Sequence, residues 1–117
     1  MRILKSLTFA AIVMVGSFSF ATISMANDGE KTYYRFLCDH CHGKDGKAPK
    51  ADTIPSIGGK SAELIRKEAG NILSGERKGR ATVMHAKYYS AQATSEACDT
   101  GPNAAELESI ANWLAQR

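Results

Sequence analysis

The sequence predicts an all-α fold, and three observations support that prediction. Apolar residues recur at three- and four-residue spacing in separate stretches, which is the pattern of a buried helix face. No stretch alternates apolar and polar residues convincingly enough to indicate a β-strand. The helical stretches are separated by segments rich in Gly, Pro and other turn-forming residues.

The first predicted helix runs from Glu30 to Cys41. This stretch contains neither Gly nor Pro, and it places Tyr34, Leu37 and Cys38 at helical spacing. The next stretch, from Gly43 to Gly59, holds six Gly and Pro residues. Because these residues break regular structure, we expect a loop there.

The second predicted helix begins at Ser61, whose hydroxyl can cap its first turn. Glu63 lies in that turn, where the helix dipole favours a negative charge. Gly75 is predicted to end the helix. The buried face is predicted to consist of Leu64, Ile65, Ile72 and Leu73.

The remaining chain predicts a loop over Glu76 to Val83, a short segment over Met84 to Tyr89, and turn-like residues from Ala91 to Asn103. Asn103 offers an N-cap for a last helix, and Glu106 follows three positions later as in a capping box. The apolar face of this helix is predicted to consist of Leu107, Ile110, Trp113 and Leu114.

Residues 1–26 have the pattern of a secretory signal peptide. Arg2 and Lys5 supply positive charge, and residues 7–20 form an apolar run too short for a comfortable membrane span. Small residues precede the predicted cleavage after Ala26, which leaves one domain, residues 27–117, with 91 of the 117 residues. We therefore expect a bacterial periplasmic protein with no membrane span after cleavage.

The mature chain is nearly neutral. Two of the 15 basic residues lie in the signal peptide, which leaves 13 against 12 acidic residues and a net charge of +1. This balance excludes a strongly basic nucleic-acid-binding protein. The basic cluster from Arg77 to Arg80 has two interpretations, a solvated loop or a docking patch for an acidic partner.

The segment from Cys38 to His42 has the Cys-x-x-Cys-His pattern that is typical of c-type haem attachment. Cys38 and Cys41 are spaced so that both thiols can form thioethers with one porphyrin, and His42 can then supply the proximal iron ligand. We therefore expect one covalent haem c. A domain this small has a thin core, so a tethered haem would also stabilise it.

Two other interpretations of the cysteine pair are less favoured. A thioredoxin-type redox motif requires a βαβ unit, and the sequence predicts none. A zinc site could combine Cys38, Cys41, His85 and Cys98. The zinc interpretation leaves His42 without a role and does not use the predicted export signal.

The sixth iron ligand is predicted to be Met84. It is the only methionine that remains after cleavage, and it lies far from His42, beyond a helix and in a glycine-flanked segment. Ordinary core packing is the alternative role for Met84. His85 is a competing ligand, since a neutral imidazole also binds iron. His40, between the two cysteines, is predicted to be a surface residue.

The mature chain resembles the class I cytochrome c family, in particular small monohaem cytochromes of bacterial periplasms and the cytochrome subunits of flavocytochrome-type sulfide dehydrogenases. The segments that carry this resemblance, in the family's order, are Tyr34, Cys38 to Gly43, Asp45-Gly46, Ile54 to Gly59, Leu73 to Arg77, Thr82 to Met84 and Ile110 to Leu114.

The resemblance implies the class I cytochrome c fold, in which the first and last helices cross beside one covalent haem and Tyr34 faces the apolar side of the last helix. It also implies that the carbonyl of Pro55 accepts the Nδ1 proton of His42, so that Nε2 faces the iron. Ile57 would then press on the haem. The chain departs from the family in a longer segment before the last helix.

That longer segment contains Cys98, a third cysteine in an oxidising compartment. With Cys38 and Cys41 bound to haem, Cys98 is predicted either to be an unreactive thiol or to form a disulfide with another chain. We expect the protein to be a one-electron carrier and not an enzyme, because two axial ligands leave no iron site for substrate.

The expected partners of such a carrier are a dehydrogenase, an oxidase or another cytochrome. Two alternatives remain. The first is the haem subunit of a stable periplasmic oxidoreductase complex, such as a dehydrogenase of sulfide or another sulfur compound. The second is a haem sensor or peroxidase-like enzyme with a labile sixth ligand.

Overall fold

The structure is a computed structural model that describes residues 23–91 and 100–117. Most of the predicted signal peptide, and Cys98, lie outside these residues. The described residues contain no β-strand, which confirms the all-α class. Their α-helices are α1 (Ile23–Arg35), α2 (Asp39–His42), α3 (Ala62–Leu73), α4 (Arg80–Ala91) and α5 (Ala104–Leu114), and a short 3-10 helix (Lys44–Gly46) follows α2. None of these helices has the length and apolar content that crossing a membrane requires.

The first helix ends earlier than predicted. Helix α1 stops at Arg35, and Leu37 adopts a φ of 55°, in the left-handed region that bulky residues avoid. The amide of Leu37 donates to the carbonyl of Tyr34, and the amide of Cys38 donates to that of Tyr33. These two bonds form a Schellman-type helix end, with leucine where glycine is usual. The chain therefore changes direction immediately before the cysteine motif.

The core lies between α1 and α5. Tyr33 is fully buried, and its ring centroid is 5.1 Å from that of Trp113. Tyr34 also contacts Trp113, with ring centroids 6.2 Å apart, as the resemblance implied, but it is only partly buried. A Cβ on Gly29 would lie 2.3 Å from the carbonyl oxygen of Ser109, so only glycine permits this approach of the two helices.

Helix α5 forms as predicted. The side chain of Asn103 accepts from the amide of Glu106, and the carboxylate of Glu106 accepts from the amide of Asn103, which confirms the capping box. All four residues of the predicted apolar face are buried, namely Leu107, Ile110, Trp113 and Leu114.

Helix α3 begins and ends where predicted, but one residue of its apolar face is misassigned. Ser61 caps the helix by accepting from the amide of Leu64, and Gly75 follows its end with a φ of 78°. Ile65 is buried, whereas the side chain of Leu64 is exposed. An ion pair between Arg66 and Glu108, 2.8 Å long and half exposed, links α3 to α5.

Helix α4 replaces a predicted loop and short segment. It begins at Arg80 and continues to Ala91, so Thr82, Val83 and Met84 are helical. Tyr89 is buried against the core and anchors this helix. Glycine fits closely at position 101, where a Cβ would lie 3.2 Å from the Tyr89 ring.

Candidate haem-binding site

The Cys-x-x-Cys-His motif forms a single turn of helix. Cys38 is the N-cap of α2, and the amides of Cys41 and His42 both donate to its carbonyl, at 3.3 and 2.9 Å. Neither Cys38 nor Cys41 forms a disulfide within the described residues. At helical spacings of three and four residues, the two thiols and the imidazole emerge on neighbouring positions of one turn. The Cys41 side chain is exposed and that of Cys38 is half-buried.

The ring of His42 is held by the backbone of the following loop. Its Nδ1 lies 2.8 Å from the carbonyl oxygen of Pro55, the contact that the resemblance implied. Because a carbonyl only accepts, Nδ1 carries the proton, and Nε2 keeps the lone pair that binds metals. Burial, and to a smaller extent the neighbouring His85, lower the pKa of His42, although the Pro55 carbonyl opposes this shift. The neutral, ligating form of the imidazole is therefore favoured.

Three donors of the loop that carries Pro55 converge on one backbone carbonyl. The carbonyl of Gly46 accepts from the amides of Ile57 and Gly58, at 2.8 and 3.0 Å, and from the hydroxyl of Ser56 at 3.1 Å. Gly46 has a φ of 68°, a conformation that glycine adopts without strain. Ile57 is partly buried and packs against the core. Its predicted contact with haem stays a prediction.

Tyr33 is a site residue that the sequence did not reveal. Its hydroxyl donates to the carbonyl of Gly43, at 2.7 Å, directly after the Cys-x-x-Cys-His turn. Burial is the main reason that the pKa of Tyr33 lies well above its usual range, with Cys38 and Asp39 adding to the effect. The sequence did contain one signal for this role: Gly29 lies one helical turn before Tyr33, so both residues belong to the same face of the helix. Tyr33 links the buried core to the end of α2.

The predicted iron ligand Met84 and its competitor His85 are neighbours on α4 but differ in exposure. Met84 lies in the second turn of this helix, and its side chain is 53 % exposed. The neighbouring His85 is half-buried, and its ring centroid is 6.2 Å from that of His42. The structure therefore brings together His42 and His85, while the assignment of Met84 as iron ligand stays a prediction.

The residues present fit a covalently attached haem. Two thiols and an imidazole with a fixed tautomer lie on one helical turn, which is the donor set that c-type attachment requires. Three large apolar side chains on α3 and α4 are exposed, namely Leu64, Val83 and Met84. An apolar macrocycle is suited to cover such side chains, since burying them removes hydrophobic surface from water.

The competing interpretations find less support. His40 is exposed, as predicted, and its Nδ1 lies 3.0 Å from the Tyr88 hydroxyl. No three His, Cys, Asp or Glu side chains among the described residues are grouped as a metal site. Cys98, the fourth member of the zinc set, lies outside these residues. A thioredoxin-type site requires strands, and residues 23–91 and 100–117 contain none.

Comparison with protein-family models, with curated proteins and with solved structures gave no match for this chain.

Proposed function

We propose that this protein is an exported carrier of single electrons that holds one haem c. Cys38 and Cys41 would form the two thioethers, and His42 would ligate the iron through Nε2. The observation that carries the proposal is the 2.8 Å contact from His42 Nδ1 to the Pro55 carbonyl, made by the histidine of a Cys-x-x-Cys-His turn. That contact gives the ring the tautomer and orientation of a metal ligand.

The surrounding residues would keep this ligand in place. Tyr33 holds the Gly43 carbonyl from within the core, and Gly46 holds the loop that carries Pro55. Bound haem would supply a reversible one-electron couple of its iron. A second axial side chain from α4, predicted to be Met84, would leave no coordination position for a substrate, which favours electron transfer over catalysis.

Transfer to a partner would take place over a small contact surface. The basic cluster Arg77 to Arg80 is exposed. Two of its cations already bind the chain itself: Arg77 pairs with Glu68 at 2.8 Å, and Lys78 Nζ donates to the Gly75 carbonyl at 2.9 Å. A role of this cluster in docking an acidic redox partner, such as a dehydrogenase, an oxidase or another cytochrome, stays a prediction.

The test is expression of the full chain in a bacterium that matures c-type cytochromes. The purified protein should remain coloured after denaturation and acid extraction, and its mass should exceed that of the processed polypeptide by one haem. The processed polypeptide should begin at residue 27. The matched control is the Cys38→Ala/Cys41→Ala variant, which should lose all covalent haem because both thioethers are removed.

Extraction of the haem by acid, or zinc in place of iron, would overturn the proposal. Isolation from the native periplasm distinguishes the carrier from the alternative, a haem subunit of an oxidoreductase complex. A carrier should separate from its partners on size-exclusion chromatography, whereas a subunit should elute with a catalytic chain.

A further inference from the structure

Two imidazoles from distant parts of the sequence lie side by side. His42 is in α2 and His85 is in α4, and their ring centroids are 6.2 Å apart with an angle of 32° between the planes. The third histidine, His40, is directed to Tyr88 instead. Of the other two histidines, His85 is therefore the one that the fold places beside the predicted proximal ligand.

Backbone carbonyls fix the tautomer of both rings in the same way. His42 Nδ1 lies 2.8 Å from the carbonyl of Pro55, and His85 Nδ1 lies 2.8 Å from the carbonyl of Ala81. Each Nδ1 must therefore donate, and in each neutral ring Nε2 holds the lone pair. Metal-binding histidines typically have this arrangement, with one nitrogen on a carbonyl and the other on the metal.

The separation of the rings suits two ligands of one metal ion. Metal–imidazole bonds are about 2 Å long, and a ring centroid lies about 1 Å behind the ligating nitrogen, so two opposed imidazoles have centroids roughly 6 Å apart. The observed distance is 6.2 Å. The two histidines are thus spaced like an axial pair.

Met84 and His85 cannot both occupy the same direction on α4. Neighbouring residues of an α-helix project about 100° apart around its axis. In the present orientation of α4, His85 accompanies His42, while the Met84 side chain is largely exposed. Met84 would take the place of His85 only if α4 turned by about one residue, and that turn would also move the buried Tyr89.

We propose that His85 is an alternative sixth ligand of the haem iron. It binds the iron opposite His42 whenever Met84 does not. This inference rests on the covalent haem of the proposed function. It predicts that loss of Met84 changes the type of six-coordinate iron without opening the iron to an external ligand.

The experiment compares haem-loaded variants by absorption spectroscopy and CO binding. Met84→Ala should lose the weak far-red band of ferric His/Met haem, remain low-spin, and bind CO poorly when reduced. Met84→Ala/His85→Ala should become high-spin and bind CO readily. Met84→Ala/His40→Ala is the matched control, and it should behave like Met84→Ala alone because His40 faces Tyr88.

A high-spin, CO-binding Met84→Ala protein, indistinguishable from the His85 double variant, would overturn the assignment of His85. If the Met84→Ala/His85→Ala protein loses its helical circular dichroism, Met84→Ala/His85→Gln provides the same comparison with a side chain of similar length. The mass of the denatured wild-type protein is read first. Absence of covalent haem there overturns the proposed function, whereas its presence with a high-spin Met84→Ala spectrum overturns only the role of His85.

Discussion

The helices at the two ends of the described chain bury their apolar side chains against each other, whereas the middle helices leave several exposed. The largest fully buried side chains, Tyr33, Trp113 and Leu114, all belong to α1 and α5. On α3 and α4, Leu64, Val83 and Met84 are 45 %, 62 % and 53 % exposed. The terminal helices thus supply the largest side chains of the core, and the middle helices keep exposed apolar surface that the proposed haem would cover.

Truncation of Trp113 should have the largest effect on stability, because it removes the centre of the α1–α5 contact. We expect Trp113→Ala to lower the free energy of unfolding by about 3–5 kcal/mol, measured by urea denaturation of the purified protein. Trp113→Phe is the control and should retain most of the stability. A loss below about 1 kcal/mol for Trp113→Ala would mean that the terminal helices do not depend on each other as described.

Removal of the Tyr33 hydroxyl should weaken the link between the core and the Cys-x-x-Cys-His turn. Tyr33→Phe removes one of the two donors to the buried carbonyl of Gly43, which keeps only the Gly46 amide at 3.1 Å, and this should cost about 1–2 kcal/mol in unfolding free energy. Tyr34→Phe is the matched control on the same helix, and it should change stability by less than about 0.5 kcal/mol. Equal effects of the two variants would contradict the assigned role of the Tyr33 hydroxyl.

Two glycines in helices should respond to alanine with opposite signs. Alanine favours a helix by about 1 kcal/mol over glycine, but at Gly29 its Cβ would lie 2.3 Å from the Ser109 carbonyl oxygen. We expect Gly29→Ala to destabilise the protein by a net of about 1–2 kcal/mol. Gly70→Ala on α3 should stabilise it by about 0.5–1 kcal/mol, since its Cβ would have only an ordinary contact at 3.9 Å. If both substitutions stabilised the protein, α1 and α5 would be farther apart at Gly29 than the structure describes.

The ion pair between α3 and α5 should contribute least. Arg66 and Glu108 are about half exposed, with side-chain exposures of 47 % and 45 %. A double-mutant cycle with Arg66→Gln and Glu108→Gln should give a coupling of about 0.2–1 kcal/mol that decreases with salt. A larger, salt-independent coupling would mean that α3 is joined to the core by charge more strongly than by the buried Ile65.

The sequence predicts elements whose ends are marked by local chemistry. Helix α5 has a capping box and four apolar residues on one face, and the loop around Pro55 is rich in Gly and Pro. The Cys-x-x-Cys-His turn is equally local. These features depend on neighbours in the chain, so one sequence is sufficient to identify them.

The helices whose bounds the sequence predicts wrongly depend on tertiary contacts. Helix α1 ends because Leu37 takes a positive φ, and leucine carries no local signal for that conformation. Helix α4 lacks a clear N-cap signal and contains β-branched Thr82 and Val83, which obscured its start. The rotation of α4, which decides between Met84 and His85, involves the burial of Tyr89, and spacing alone cannot specify that packing partner.

The contacts at the Gly46 carbonyl should slow hydrogen exchange in the loop that carries Pro55. The amides of Ile57 and Gly58 donate to it, and the next amide, of Gly59, donates to the carbonyl of Leu114 at the end of α5. These three consecutive hydrogens lie outside any helix. The amides of Ile57 and Gly58 exchange with solvent when the loop leaves the Gly46 carbonyl, and the amide of Gly59 exchanges when it leaves the Leu114 carbonyl. Loss of both contacts would also carry Pro55 away from His42. The exchange rates of these three amides therefore report how long the imidazole keeps its orientation.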